Sequence, residues 1–514
     1  MSKLAKAATW LMLATLLTKI LGFGREMALS YVYGTNAISE AFVVSFSIPT
    51  IIFAAAGSAI ATTYIPIYYE VENEIGKKAT LKFTNNIVNV IVIICTILSI
   101  LGIIFTEPLV KLFAIGFDGE RLKLTVQYTR ILIMSIPFIG LSFIMNGYLQ
   151  VHNNFTVPGL GSLPKNIIII VSIFLSAKYN SVIIAIGTLL GIASEFLFQV
   201  PFAAKNGYKY KPFLDLKDAK MKKLVILIAP IFVGIAVNQI NTMVDKSLAS
   251  TLPLGSVAAL NFASKLNSFV ISIFIVSITA VVYPLISRLS VENSKEDFAQ
   301  VVVRSVNSIT LLVLPVSVGA IVLSQPIVRL LFERGEFTAQ DTKITAVALS
   351  FYAIGLIGSG LNDILTKIFY ALKDTKTPMK SAILAVVINI CLNFALIKYL
   401  KHAGLAFATS IANISIVIVL FIALKKKIKD FGQRKIIITF IKSLVASSIM
   451  GFAAYMSNKY LAMHLSSDTI GQVISLGTSV LVGAIVYGVL VILFKISEIT
   501  YIIDMVKAKL KLKK

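Results

Sequence analysis

The chain has 514 residues, of which 57% are hydrophobic and only 14% are charged, and its formal net charge is +24. A mean hydropathy of +0.88 excludes an ordinary soluble domain. Its two cysteines, Cys95 and Cys391, are far apart in the sequence and both fall in apolar segments, which argues against a disulfide framework. The composition therefore predicts an all-α polytopic membrane protein.

Apolar segments of about 20 residues, the length that crosses ~30 Å of hydrocarbon as a helix, recur along the whole chain. The first is too long for a signal-peptide core and lacks a cleavage site, so we expect it to remain a transmembrane helix. We predict about fourteen transmembrane helices, at residues 8–33, 37–68, 83–106, 122–151, 160–177, 181–204, 223–250, 255–286, 299–324, 342–371, 379–398, 402–424, 436–458 and 470–494.

Lysine and arginine concentrate in the loops on one side of these helices, together with both ends of the chain. The positive-inside rule then predicts that both termini are cytoplasmic. The basic segments "KNGYKYKPFLDLKDAKMKK" and "KKKIKDFGQRK" are interpreted as topology signals that also contact anionic membrane lipids. No nucleic-acid partner is expected, because no recognition module accompanies them.

The chain repeats itself with a shift of about 220 residues. "AIATTYIP" matches "SITAVVYP", "TEPLVKLF" matches "SQPIVRLLF", and "GYLQVHNNFTVP" matches "IFYALKDTKTP". The repeat predicts two pseudo-symmetric six-helix lobes, residues 1–215 and 220–430, with substrate bound between them near the membrane midplane. Helices 13 and 14 and a basic cytoplasmic tail, residues 433–514, lie outside the repeat.

The first helix carries three charges in "TKILGFGREMALSYVYG", namely Lys19, Arg25 and Glu26. A lone charge at the centre of a membrane helix costs about 2.5–3.5 kcal/mol, so such residues normally face a cavity or the interior of the bundle. Under the repeat, Arg25 and Glu26 match Asp245 and Lys246. We expect these charges to face the cleft between the lobes.

The same expectation covers Glu40 in the second helix and Lys265 in "FASKLNS". Gly22 and Gly24 flank the charged site and predict a hinge in the first helix. The alternative is that the charged dipeptides are internal salt bridges that hold the lobes together. A cavity with surplus positive charge, however, suits an anionic substrate such as a phosphate.

Asn389 and Asn393 are four residues apart and share a helix face. With Asp245 and Thr409 they form a candidate oxygen-lined cation site. The alternative, which we favour, is hydrogen bonding between helices. Glu195 is isolated in the sequence and is either a protonation site or a glutamic acid that is neutral within the bundle. No metal site is assigned, because the histidines lack metal-ligand spacing.

No motif for chemistry is found. The sequence lacks a P-loop, "GFGREM" fails the dinucleotide pattern, and no nucleophile and base are recognisable. The chain is therefore not expected to be an enzyme or to hold a cofactor. Its energy source is expected to be a sodium or proton gradient, the membrane potential or the gradient of the substrate itself.

Several phrases resemble a known family. The chain resembles the MurJ (MviN) family in the residues and the order of five segments: "KILGFGRE" followed by "SEAFVVSFSIP", then "LLFERGEFTAQDT", "LTKIFYALKDTKTPMKSAI" and "HAGLAFATSIA". Members of this family are lipid II flippases of the multidrug/oligosaccharidyl-lipid/polysaccharide (MOP) exporter superfamily. The resemblance covers about residues 10–415.

The resemblance implies a flippase of peptidoglycan biosynthesis that moves lipid II from the inner to the outer leaflet of the bacterial cytoplasmic membrane by alternating access. It implies that Lys19, Arg25 and Lys265 bind the pyrophosphate. It further implies that Glu26 and Glu40 gate the cavity or tune its charge.

The chain departs from the family in helix 2. Many members carry an arginine pair followed by Ala-Glu-Gly there, whereas this chain reads "IPTIIFAAAGSAIATTYIP", with Phe53, Ala54 and Gly57 in that region. We also expect helices 13 and 14 to form an apolar groove for the lipid tail, because a polyprenyl chain cannot enter a polar cavity.

Three other functions remain open. One is a flippase for another polyprenyl-pyrophosphate-linked envelope glycan. Another is a multidrug exporter of the same superfamily, which the surplus of cavity cations disfavours. The last is a non-transporting scaffold or receptor, which the density of intramembrane charge disfavours. We expect a monomer, with proteins of cell-wall synthesis as candidate partners.

Overall fold

The computed structural model describes residues 3–275, 279, 283, 286–288, 295–466, 468–496 and 498. Part of the predicted segment 255–286 and most of the basic tail lie outside these residues. Within the described residues the fold is entirely helical, without a strand. The helices are α1 (Lys3–Tyr33), α2 (Ala37–Ile75), α3 (Lys77–Ile104), α4 (Thr106–Phe113), α5 (Gly119–Leu132), α6 (Ile136–Val151), α7 (Thr156–Leu160), α8 (Ser162–Lys178), α9 (Val182–Lys205), α10 (Ala219–Ser250), α11 (Ser256–Val270), α12 (Lys295–Val322), α13 (Ser324–Phe332), α14 (Ala339–Ile354), α15 (Leu356–Ala371), α16 (Lys376–Leu400), α17 (His402–Ile428), α18 (Gln433–His464) and α19 (Thr469–Leu493).

The apolar segments of the sequence form helices that are long enough to span a membrane. In the described part of the chain, thirteen helical segments are long and apolar enough to cross a membrane, some of them built from two consecutive helices such as Gly119–Val151. The remaining predicted segment is α1, a continuous helix of 31 residues. The all-α polytopic fold with about fourteen transmembrane helices is confirmed.

The chain forms two compact units. The first runs to Ala258 and also includes Arg334–Phe337, and the second begins at Ala259 and contains the rest of the described chain. The helix α10, which opens the second copy of the sequence repeat, therefore belongs to the first unit. The two lobes at residues 1–215 and 220–430, which the sequence repeat predicts, stay a prediction.

The repeat is visible in the local backbone. Asn153 and Lys373, which match under the repeat, both adopt a left-handed conformation, with φ of 60° and 58°. The next residue in each turn, Asn154 or Asp374, accepts a hydrogen bond from the backbone N–H three residues later, at 3.3 and 3.0 Å. The two turns end helices and begin the next ones in the same way.

In the first unit, α2 packs against α3, α5, α6 and α10, while α8 packs against α1 and α9. Its core is rich in aromatic rings: Tyr64 stacks on Phe83, and the Tyr68 ring meets that of Tyr148 edge to face. The helix α1 packs against α8 and also contacts α2, and these contacts position the charges of α1.

Three asparagines of α3 fasten the loop between α9 and α10. The side-chain amides of Asn85, Asn86 and Asn89 donate hydrogen bonds to backbone carbonyls of residues 209–215. The Asn86 carbonyl in turn accepts from the Asp215 N–H at 2.8 Å. A loop without helices or strands thereby satisfies some of its backbone hydrogen-bonding groups through side chains of a helix in the same unit.

In the second unit, α17 packs against α14, α15 and α16. The long helix α12 packs against α15 and α18, and α18 packs along α19. Its apolar core runs from Ile275 to Ile436 and includes Phe369 and Phe431. The helices α18 and α19, which lie outside the repeat, are thus attached to this unit through α12.

Candidate functional site

A buried polar cluster on α1 and α8 contains the charged dipeptide of the first helix. The Arg25 guanidinium donates to the Glu26 carboxylate at 2.6 Å, and the two side chains are 12% and 6% exposed. It also donates to the Asn166 carboxamide oxygen of α8 at 3.5 Å and lies 5.0 Å from the centre of the Phe46 ring. We call Arg25, Glu26, Phe46 and Asn166 the Arg25 cluster.

The Arg25 cluster explains how an arginine is held at this depth. A guanidinium has five N–H donors in a planar fork, and the described contacts use two of them. The ion pair with Glu26 offsets its charge, and the Phe46 ring supplies a cation–π contact. Breaking such a pair is costly, because it removes the adjacent opposite charge from a buried ionised group. The arrangement holds one face of the guanidinium and leaves further donors for an anionic ligand.

A second ion pair lies beside the cluster. Lys165, the neighbour of Asn166 on α8, contacts the Glu195 carboxylate of α9 at 2.5 Å. The interpretation of Glu195 as isolated was wrong, because its partner is 30 residues away on the adjacent helix. Sequence reasoning missed Lys165 and Asn166, because the packing of α8 against its neighbours cannot be read from consecutive residues. The polar "PKN" at the start of an apolar segment was the available signal.

The predicted hinge glycines lie within a continuous helix. At Gly22, an added Cβ would lie 3.8 Å from the Asn166 side chain, whereas at Gly24 it would contact nothing within 4 Å. Gly22 therefore faces α8 at the level of the Arg25 cluster. Lys19, one turn earlier on α1, is exposed. A hinge at these glycines stays a prediction.

The matching dipeptide of the repeat lies on α10 in the first unit. The Lys246 ammonium donates to the Ser47 hydroxyl of α2 at 2.5 Å. Ser47 follows Phe46, whose ring contacts Arg25. Asp245, the candidate cation ligand, is half-buried on the same helix. One turn of α2 thus touches the charged side chains of both α1 and α10.

Glu40 makes hydrogen bonds and an ion pair that the sequence did not predict. Its carboxylate is fully buried and accepts hydrogen bonds from the backbone N–H groups of Gly255 and Val257, both at 2.9 Å. The Arg121 guanidinium of α5 lies 3.4 Å from the other carboxylate oxygen. Glu40 therefore caps the N-terminus of α11, where unpaired N–H groups and the helix dipole favour a negative charge. A gating role for Glu40 stays a prediction.

Lys265 lies further along α11 in the second unit. Its side chain is exposed and makes no ion pair or hydrogen bond with the residues that the structure describes. The capped end of α11 belongs to the first unit and the turn that carries Lys265 belongs to the second. Binding of a shared substrate by Lys19, Arg25 and Lys265 stays a prediction.

Three of the four candidate cation ligands come together in the second unit. The Asn389 amide donates to the Thr409 hydroxyl at 3.3 Å, and the Asn393 amide donates to the Asn389 carbonyl at 3.0 Å. Asn389 and Asn393 are buried. The Asn389–Thr409 contact is a hydrogen bond between α16 and α17 of the kind that the alternative interpretation described, whereas the Asn393–Asn389 contact lies within α16. Among the described residues, no three His, Cys, Asp or Glu side chains form a metal-binding group.

Comparison with known proteins decides the family. The family model described as "Lipid II flippase MurJ" matches residues 29–474. The chain belongs to the MurJ family. It is 30% identical over 417 residues to a probable lipid II flippase MurJ of Buchnera aphidicola subsp. Baizongia pistaciae, which covers 79% of this chain and 81% of that protein. It is 28% identical over 481 residues to the one from Rickettsia prowazekii, with coverage of 92% and 94%.

Solved structures agree with this assignment. The structure titled "Lipid II flippase MurJ, inward closed conformation" superposes with a TM-score of 0.81 at 29% identity, covering 94% of this chain and 98% of that one. An inward-facing MATE family transporter of the MOP superfamily matches with a TM-score of 0.64 at 17% identity, covering 81% and 96%, which shows a shared fold. The chain is thus a multi-pass membrane protein of a transporter family, as the sequence predicted.

Proposed function

We propose that this protein moves lipid II from the inner to the outer leaflet of the bacterial cytoplasmic membrane, with both of its own termini in the cytoplasm. Membership of the MurJ family supports this proposal. The observation that carries it is the Arg25 cluster, in which a membrane-buried guanidinium is held by Glu26 and Asn166 on one side.

The proposed role of Arg25 follows from its chemistry. A guanidinium binds phosphate oxygens through paired, charge-assisted hydrogen bonds, while lysines at positions 19 and 265 act as point charges. Binding the pyrophosphate would replace part of the Arg25–Glu26 interaction, so that Glu26 sets how tightly the headgroup is held. Alternating access of the two lobes would then expose the bound headgroup to one side of the membrane at a time.

The proposed tail site is on helices α18 and α19. Both carry exposed apolar side chains, including Ile449, Phe452, Leu481 and Ile485. The polyprenyl chain would remain among these side chains and the lipids while the headgroup crosses. The driving force is proposed to be the membrane potential or a sodium or proton gradient, with Asp245, Asn389, Asn393 and Thr409 as the candidate cation ligands.

One observation favours a second cargo, another polyprenyl-pyrophosphate-linked glycan. The part of α2 where many family members carry a cation is apolar and tightly packed here. Phe53 is buried with its ring 6.2 Å from that of Phe143, and a Cβ at Gly57 would lie 2.4 Å from the same Phe143 ring. This chain would therefore make fewer contacts with the phosphates than those relatives do. The headgroup that it binds would then differ from theirs.

The experiment is depletion of the protein in its own host, followed by identification of the undecaprenyl-linked precursor that accumulates on the inner leaflet. Complementation with Arg25→Ala is expected to fail while the variant remains folded and inserted. Arg130→Ala is the matched control, because Arg130 is an exposed arginine of α5 in the same unit. If a different polyprenyl-linked glycan accumulates, that glycan and not lipid II is the cargo. Full growth with Arg25→Ala would refute the phosphate role.

A further inference from the structure

The second unit contains an apolar groove between two consecutive helices. The helix α17 packs against α15 and α18 packs against α12, so the two consecutive helices pack on different neighbours and not along each other. The space between them is a cavity of about 530 Å³. Its walls include Ile414, Ile418 and Ile422 of α17 and Ile437 and Phe440 of α18.

The groove is one membrane leaflet deep. It extends along α17 from Lys425 to Ile414, which corresponds to about 16 Å at the helical rise. The hydrocarbon core of a bilayer is about 30 Å thick, so this length matches half of it. An acyl chain of an ordinary phospholipid fills one leaflet, whereas a long polyprenyl chain extends beyond it.

Charge marks one end of the groove. Lys425 and Gln433 are the polar residues at the end that faces the turn between α17 and α18. The Lys427 ammonium is already bound by Asp374 at 2.8 Å, whereas Lys425 makes no ion pair with the described part of the chain. The Gln433 amide donates to the Lys429 carbonyl at 2.7 Å and keeps a second N–H. The mouth therefore offers a cation and one amide N–H above an apolar slot, a combination that matches a phosphate linked to a hydrocarbon chain.

We propose that this groove binds an anionic phospholipid, with one acyl chain between α17 and α18 and its phosphate at Lys425 and Gln433. The basic segment containing Lys425 belongs to the side that the positive-inside rule assigns to the cytoplasm, where anionic lipids concentrate. The bound lipid would fill the gap that the two helices leave and so stabilise their arrangement. This site is independent of the cargo that the protein transports.

The test is a titration of the delipidated full-length protein with phosphatidylglycerol, phosphatidylcholine of the same acyl chains, and undecaprenyl phosphate, read out by native mass spectrometry. Lys425→Ala should weaken phosphatidylglycerol binding about fivefold, the value expected for one lysine at an anionic headgroup. Ile418→Trp should abolish it by filling the groove, since this side chain lines the groove and is 54% exposed.

The matched controls are Lys426→Ala, which removes a neighbouring charge outside the groove, and Ile383→Trp, which adds the same ring to an exposed position on α16. Both should bind phosphatidylglycerol like the wild type. Equal weakening by Lys425→Ala and Lys426→Ala would overturn the proposal, because it would indicate diffuse attraction. Equal binding of phosphatidylcholine, or tighter binding of undecaprenyl phosphate at the same site, would also overturn it.

Discussion

The cap that Glu40 provides for α11 gives a quantitative prediction. In Glu40→Ala, the N–H groups of Gly255 and Val257 lose their acceptor and Arg121 loses its buried carboxylate partner. A hydrogen bond to a charged group contributes about 1.5–3 kcal/mol and two N–H groups each lose one, whereas Arg121 keeps a contact with Asp118 at 3.8 Å. We therefore expect a loss of about 3–5 kcal/mol, and about half of this in Glu40→Gln, which keeps one oxygen acceptor.

The assay is thermal unfolding of the purified protein in detergent. With an unfolding entropy of about 1 kcal/mol/K for a chain of this length, the loss corresponds to a fall in Tm of roughly 3–5 °C. Glu120→Ala, at an exposed position in the first turn of α5, is the control and should change little. If Glu40→Ala unfolds at the same temperature as this control, the capping argument is wrong. If it is stable but cannot support growth, Glu40 acts in gating instead.

Three further predictions concern charge and ions. Lys265→Arg should support growth in a complementation assay and Lys265→Glu should not, because only a cation is required; equal activity of both would contradict a charge-based site. If a cation binds at Asn389, the Tm of the wild type should be higher in sodium than in choline and Asn389→Ala should remove the difference, while a flat wild-type response would eliminate the site. Lys427 and the N–H of Thr377 lower the pKa of Asp374 to about 2, so the stability that this carboxylate adds is fully present above pH ~4 and is lost as the pH falls through ~2. The Tm difference between wild type and Asp374→Asn should therefore be constant from pH 8 to 5, and a difference that changes within that range would refute the assignment.

The sequence was sufficient for the fold class because membrane helices form from local information. Each segment needs only its own hydrogen bonds and enough apolar length, and both can be read from consecutive residues. The same reasoning found Arg25 and Glu26, since charges within an apolar segment stand out against their neighbours. The four-residue spacing of Asn389 and Asn393 likewise placed them on one face of one helix, where the structure shows them hydrogen-bonded to each other.

Contacts between helices were decided only by the tertiary structure. Glu195 has no visible partner within its own segment, and only the packing of α9 on α8 brings Lys165 to it. Glu40 contacts backbone N–H groups more than 200 residues away, and backbone groups leave no signal in the sequence. The groove between α17 and α18 exists because each helix packs on a different neighbour. Local hydrogen bonding and hydrophobic length determine where each transmembrane helix forms. Which helices contact each other depends on how the side chains of distant segments pack, and no periodic pattern in the sequence reports that packing.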